Sequence, residues 1–290
     1  MFKKLSIAVL ATTLMAPAVG RADGFSSLQE SLIRIVAMSS IPSLADYDFD
    51  GTGCLFGYLL DEGAERGMVR EFQAGRSYII LGAGDDDVID MDIWITPINQ
   101  PESRLVEDVE VDATPVIEFR PSRTGQYAIN IQNYQSRGRG FCCFVVLEQR
   151  PGKQVGSGLM SLAEALDNSI ELARIAGLFF ANEFPSNNLV LFGGKFDQGQ
   201  SSYTYDLSYP QGDYVVVATG SKAIDDVDLF VARQHQHRDR NGIRMAQDDE
   251  VDNTPMCEFS VFQNQYYCIE MKNYSGQKPG FIFGFVLRND

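Results

Sequence analysis

One stretch of sequence occurs twice in this chain, and that duplication limits the possible folds more than any other feature. Phe56-Gly57, Asp61 and Gly63 return as Phe192-Gly193, Asp197 and Gly199, displaced by 136 residues. The same displacement carries Tyr78-Ile79-Ile80 onto Tyr214-Val215-Val216, and Asp90-Met91-Asp92-Ile93-Trp94-Ile95 onto Asp226-Val227-Asp228-Leu229-Phe230-Val231. Glu110-Val111-Asp112-Ala113-Thr114-Pro115 returns as Glu250-Val251-Asp252-Asn253-Thr254-Pro255 at a displacement of 140, so the second copy has gained four residues. The polar stretch Gln234 to Gly242 is the expected place for them. Whatever the fold is, it must work as two similar units.

Ahead of each copy stands Ser-x-x-Glu, at Ser27 to Glu30 and Ser161 to Glu164, opening an apolar pattern of helical period. This reads as a capping box followed by an amphipathic helix. Within the first copy, β-rich runs at 77–81, 92–98, 116–119, 127–131 and 141–147 alternate with turn signals. Tyr127, Ile129 and Ile131 alternate with Ala128, Asn130 and Gln132, the period of a half-buried strand. Short strands without helices between them predict an antiparallel sandwich rather than a parallel sheet. The chain is thus expected to be mostly β, two tandem antiparallel β-sandwiches, each preceded by one amphipathic α-helix. The expected boundaries are 23–148 for the first unit, 149–158 for a Gly- and Pro-containing linker, and 159–290 for the second.

Residues 1–22 read as a signal peptide: Lys3 and Lys4, an uncharged apolar run from Leu5 to Val19, then small residues around Ala22. The run is shorter than the roughly 20 residues a membrane-spanning helix needs. A periplasmic or secreted protein without a stable membrane anchor is expected. Removal of Lys3, Lys4 and Arg21 leaves 21 basic residues against 39 acidic ones, a net charge of −18. Such a surface is a poor partner for nucleic acid and offers carboxylates to cations.

The order of an Asp-x-Asp-apolar strand, Asp-x-Thr-Pro-x-x-Glu-Phe, and a Tyr-x-Ile strand ending in Asn-Tyr resembles the bacterial pre-peptidase C-terminal domain family. Asp226 to Val231 and Tyr267-Cys268-Ile269-Glu270 carry the resemblance best, and it covers about 90 residues of each copy. It implies a jelly-roll-like sandwich of secreted proteins, some of whose relatives bind calcium or matrix polymers. The family has no catalytic residues to transfer.

Five cysteines in an exported chain invite disulfides, with at least one left over. Cys257 and Cys268 sit on two arms of an expected hairpin centred between Phe262 and Gln263, which predicts a bridge. The hairpin register places them on different faces, so a bulge would be needed. Cys54 opens the first strand of copy one while Cys142 and Cys143 lie in its last. One of the latter, taken as Cys143, is expected to bridge Cys54. Against this stands burial of all three as reduced small hydrophobes.

Asp46-Tyr47-Asp48-Phe49-Asp50-Gly51 starts like a calcium loop, with carboxylates at alternate positions before a glycine, although position twelve is Gly57 where a Glu belongs. A second cation reading gathers Asp90, Asp92 and Asp112, repeated as Asp226, Asp228 and Asp252. The competing reading makes these residues turn caps. His235 and His237 form a His-x-His with no third ligand in view. There is no Gly-x-Ser-x-Gly elbow and no His outside that segment, so no nucleophile–base pair stands out. The expected function is non-enzymatic binding or scaffolding, with acidic, calcium-stabilised sandwiches recognising an extracellular or periplasmic protein or polysaccharide. The alternative is a carboxylate-dependent carbohydrate-active hydrolase with a cleft between the domains. Trp94, Tyr203, Tyr205, Tyr266 and Tyr274 are the aromatics that exposure would make available for sugar stacking.

Overall fold

The structure, a computed structural model, describes residues 24–150, 152, 162–172, 175, 182–235, 242–262, 265–276 and 278–289. The expected signal peptide, most of the linker, Ser161 and His237 lie outside the described residues. The first half runs from helix α1 (Gly24–Ser39) through β1 (Tyr47–Phe49), β2 (Leu55–Leu60), β3 (Glu65–Phe72), β4 (Tyr78–Gly84), β5 (Val88–Pro97), β6 (Val106–Asp108), β7 (Val116–Phe119), β8 (Gly125–Ser136) and β9 (Gly140–Gln149). The second half runs from helix α2 (residues 162–172) through β10 (Asn182–Glu183), β11 (Asn188–Phe196), β12 (Ser201–Leu207), β13 (Gly212–Gly220), β14 (Ile224–Arg233), β15 (Ile243–Asp248), β16 (Met256–Val261), β17 (Tyr267–Gly276) and β18 (Gly280–Asn289). Each strand of the first half has its counterpart in the second, and the four extra residues fall between Arg233 and Ala246, three of them lengthening β15 at its start relative to β6.

Strand order repeats as strictly as the sequence does. One four-stranded sheet is ordered β3-β8-β5-β6, and the other β12-β17-β14-β15, matching strand for strand. The remaining strands form a single ten-stranded antiparallel sheet along the path β16-β13-β18-β11-β2-β9-β4-β7, with β1 on β9 and β10 on β18. From its centre the path reads β2-β9-β4-β7 one way and β11-β18-β13-β16 the other, which are again equivalent strands. The halves join where β2 pairs with β11, and Phe56 stands opposite Phe192 in that ladder. A pseudo-twofold axis therefore passes through this pair. The two sandwiches are not beads on a linker, because they share one sheet.

Three layers result. The helices cover one face of the large sheet, with Leu28, Leu32 and Ile35 of α1 and Leu162, Leu166 and Ile170 of α2 buried against Ile79, Val215 and Phe283 among others. Full burial of each such side chain stabilises by about 1.5–3 kcal/mol. The small sheets cover the other face, and their core runs without interruption through both halves. This explains the near-continuous apolar run of β9. Phe141, Cys143, Val145 and Leu147 face the helices while Cys142, Phe144 and Val146 face the small sheets, so both sides of the strand are dry.

Two local expectations are corrected. Helix α1 starts at Gly24, ahead of Ser27, so Ser27 is inside the helix rather than at its cap. Glu30 reaches outward instead, accepting from the Asp86 amide at 3.2 Å. Its repeat counterpart Glu164 pairs with Lys222 at 2.5 Å, which fixes α2 at the equivalent corner.

The disulfide pairings are also corrected: all five cysteines are buried and none is bridged. Residues 257 and 268 do not share a hairpin. Cys257 lies opposite Val216 in the large sheet, while Cys268 lies opposite Ala232 in a small one. Cys257 faces the core between the sheets, whereas Cys268 alternates with Tyr267 and Ile269, which face that core, so its side chain points to the other side of its sheet, away from Cys257. Strands β2 and β9 are neighbours as expected, but the ladder sets Cys143 opposite Gly57 and Val145 opposite Leu55. That places Cys54 three residues along from Cys143, about 10 Å at strand rise.

Candidate binding groove between the two repeats

The small sheets lie side by side on the large one, and a groove of about 670 Å³ runs between them along the pseudo-twofold axis. Its walls are β3 and β12, the edge strands of the two small sheets. Phe56, Tyr58 and Leu189 of β2 and β11 form its floor. Such a space exists because the twofold places two sheet edges face to face without pairing them.

The geometry is symmetric, but the chemistry is not. The positions of β12 that carry Tyr203 and Tyr205 are Gly67 and Val69 in β3, and Arg70 answers Asp206. Tyr203 and Tyr205 hold their rings parallel, with centroids 5.7 Å apart and 8° between planes. On the opposite wall Arg66 donates from Nε to the Asn187 carbonyl at 2.5 Å, a contact between the halves. Asn187, next to the lining residue Asn188, has a left-handed backbone at φ 54°, and Asp206 in the β12 wall has one at φ 58°, a conformation that non-glycine residues adopt rarely. Asn187 is held there by Asp61, whose amide donates to Oδ1 at 2.9 Å and whose carboxylate accepts from Nδ2 at 2.6 Å. These contacts, first Asn187 and then Arg139, hold the Asp61 carboxyl below its usual range.

Two buried polar atoms among the groove residues have no partner: the hydroxyl of Tyr58 and Nε of Arg70. Tyr58 is 3% exposed, and burial pushes its phenol far above the ordinary value, so the hydroxyl keeps its proton. The other nitrogens of Arg70 are committed, Nη1 to the Gly53 carbonyl at 2.8 Å and Nη2 to the Asp50 carboxylate. The neighbouring phenol of Tyr209 donates to the Leu189 carbonyl at 3.1 Å. An unpaired buried hydroxyl costs about 1–3 kcal/mol, which a ligand atom supplying the missing bond would recover.

The sequence-derived cation residues are distributed differently from the expectation. The segment Asp46 to Asp50 is not a loop around a cation but includes strand β1, paired with β9. Asp48 accepts from Lys195 Nζ at 3.0 and 3.1 Å. Asp50 pairs with Arg70 and, at 3.7 Å, with Arg150. Asp46 is exposed, and its carbonyl accepts from the Arg150 amide at 2.7 Å. The protein's own cations thus occupy the place where calcium was expected.

In the second acidic set, the Asp112 loop lies against the Asp90–Asp92 strand in one copy and the Asp252 loop against the Asp226–Asp228 strand in the other. The Met91 amide bonds the Asp112 carbonyl at 2.8 Å, and the Val227 amide bonds the Asp252 carbonyl at 2.8 Å, drawing each loop to its Asp-x-Asp strand. The carboxylates of Asp112 and Asp252 cap turns, accepting from the amides of Thr114 at 2.6 Å and Thr254 at 2.7 Å. Asp92 is buried, and Asp228 lies 3.7 Å from Lys272. Asp90 and Asp226 are each 4% exposed, and each has an Oδ1 with no partner. Burial first, and then a neighbouring carboxylate, pushes both carboxyls up. Among the described residues no three Asp, Glu, His or Cys side chains converge as a metal site.

Of the aromatics, Trp94 is buried beneath Arg104, whose guanidinium carbon lies 4.2 Å from the ring centroid. Phe230 and Arg244 repeat the arrangement at 4.0 Å. Tyr266 and Tyr274 are exposed. Sequence reasoning singled out Tyr203 and Tyr205 but missed Tyr58 and Arg70, whose roles come from a twofold that no linear pattern announces.

No family model matches the chain, and no curated protein does. Among solved structures it is similar to the M60 catalytic domain with the CBM51-1 and CBM51-2 domains from Clostridium perfringens ZmpB, at 5% identity and TM-score 0.24, over 78% of this chain and 34% of that one. It is similar to the PBSX exported protein XepA, at 8% identity and TM-score 0.25, over 86% and 87% of the two chains. A third is the N-terminal CBM22-1-CBM22-2 tandem domain from Paenibacillus barcinonensis Xyn10C, at 7% identity and TM-score 0.23, over 80% and 93%. The chain spans about a third of the first of these.

Proposed function

We propose that this is an exported, non-enzymatic binding protein that holds a polymer, polysaccharide or protein, in the groove between its repeats. The observation that carries the reading is the unpartnered Tyr58 hydroxyl among the residues of a cleft of about 670 Å³ built jointly by both halves. A concave site with a few convergent polar groups is the usual form of a ligand site. The apolar N-terminal run and the likeness of the repeats to pre-peptidase C-terminal modules fit a secreted accessory role. Hydrolysis in the same cleft is the competing reading. Against it, the Asp50 carboxylate oxygens are already committed to Arg70 and Arg150. Calcium is kept as a part of the reading at Asp90 with Asp112 and at Asp226 with Asp252.

Filling the cleft tests the proposal. Asn188→Trp and, on the exposed rim, Gln126→Trp are expected to abolish polymer retention in affinity gels while melting as the parent does. Retention unchanged in both would overturn it, as would release of reducing ends from a retained polysaccharide. The calcium part predicts a melting temperature that rises with millimolar calcium.

A further inference from the structure

We infer that the ligand of this groove is a neutral polysaccharide, with the Tyr203–Tyr205 stack as its platform and the Tyr58 hydroxyl as a donor at the base. The inference rests on the groove being the binding site, and it chooses between the two polymer classes.

A protein segment would bind between two sheet edges by adding a strand, using the backbone groups of β3 or β12. Both edges are built against that. Strand β3 carries Glu65, Arg66, Arg70 and Glu71, and charged residues along an edge oppose pairing. Strand β12 loses register between Thr204 and Leu207, where Asp206 takes φ 58°, and a bulge of this kind breaks the ladder that an added strand would need. A polysaccharide needs no ladder. It needs flat apolar faces for its rings and donors and acceptors for its hydroxyls, and the groove supplies both.

The parallel rings of Tyr203 and Tyr205 are already ordered, so stacking a sugar against them costs little further side-chain entropy. Asn188, Gln200 and Ser202 add uncharged hydrogen-bonding groups to the walls. The parts of β3 and β12 that line the groove make it on the order of 20 Å long at strand rise, longer than one sugar unit. Charge selects the neutral class. The chain is strongly acidic, and in the groove Arg70 is already neutralised by Asp50, while Glu71 and Asp206 offset Arg66. An anionic polymer would meet repulsion on approach and no surplus of cations on arrival.

Native affinity electrophoresis against laminarin, xyloglucan, galactomannan and hydroxyethyl cellulose, with alginate as the anionic control, tests the inference. The parent is expected to be retarded by at least one neutral polymer and not by alginate. Tyr203→Ala/Tyr205→Ala should weaken that binding at least tenfold. Tyr58→Phe should weaken it severalfold while the melting temperature stays or rises, since a hydroxyl that served only the fold would have a partner to lose. Retention of a neutral polymer that both variants leave unchanged overturns the inference, as does retardation by alginate alone. A protein ligand lost on Asn188→Trp, with no neutral polymer bound, overturns the inference but keeps the groove. Neutral-polymer binding that Asn188→Trp leaves intact overturns the groove itself.

Discussion

Phe56 of β2 and Phe192 of β11 face each other across the ladder that joins the halves, and they are one position of the repeat seen twice. Because the large sheet and the core beneath it continue through that pair, neither half has a complete surface of its own. Separated, each would present a strand edge and an apolar face to water. The full chain should therefore unfold in one calorimetric transition whose van't Hoff and calorimetric enthalpies agree. Two resolved transitions would mean that the halves are stable apart.

Close to the same junction, Lys195 of the second half reaches Asp48 of the first, and Asp48 is 3% exposed. Lys195→Met leaves a buried carboxylate without its cation. Removing one partner of such a pair costs about 3–5 kcal/mol, and the lower end applies because Lys195 keeps some contact with solvent. Asp48→Asn combined with Lys195→Met should recover a good part of the loss. Urea melts in which the single variant is as stable as the double would refute the pairing.

Position 194 offers a third test. A Cβ built on Gly194 would lie 2.4 Å from the Gly51 carbonyl oxygen and 2.6 Å from Thr52, all backbone, so the loop between β1 and β2, which packs on β11 of the other half, must move. Gly194→Ala should cost about 1–3 kcal/mol by overpacking. Gly199→Ala, which meets nothing within 4 Å but has φ 76°, pays only for its left-handed backbone and should cost less. Equal losses in chemical denaturation would show that the close approach at 194 is not what matters.

The repeat made the architecture legible, because identical spacing at Tyr78 and Tyr214 or Asp90 and Asp226 implies identical strands before any coordinate is known. What the chain did not reveal is how one copy meets the other. Sequence similarity reports each copy against its ancestor and is silent on the axis relating them, so the shared sheet and its groove were invisible. The bridge between Cys257 and Cys268 failed for a related reason. Proximity in sequence suggested a hairpin, but in a sandwich the next strand often belongs to the facing sheet. The Asp46 to Asp50 loop failed because Lys195, its chief partner, lies 147 residues away from Asp48.

The buried cysteines give a prediction about reactivity. Burial pushes the Cys54 and Cys257 thiols up to about 12, and raises Cys142 and Cys143 as well, so little thiolate exists at neutral pH. Native protein should react slowly with a disulfide reagent, and denatured, unreduced protein should titrate five thiols per chain. Three thiols in denaturant would reveal a bridge, and the strand offsets described above would then be wrong.

Asp90 and Asp226 give the sharpest test, since the repeat performs it twice. Each is buried with an unpartnered Oδ1, and burial is the first cause that raises its carboxyl pKa. A carboxyl whose folded value is raised takes up its proton more readily in the folded state. It therefore destabilises the fold at pH values above that folded value. The penalty fades as pH falls, and below the unfolded value of about 3.9 it is gone. Asn at either position keeps the shape and removes the charge. In chelator at pH 7, Asp90→Asn and Asp226→Asn should each raise the melting temperature, and the gain should close as the pH approaches 4. Calcium, if it sits beside these carboxylates, should narrow the gain at pH 7 by stabilising the parent alone. A melting temperature lowered by either variant in chelator would show that the carboxylate is already compensated within the fold, and the reading of these two residues as unpaired charges would be lost.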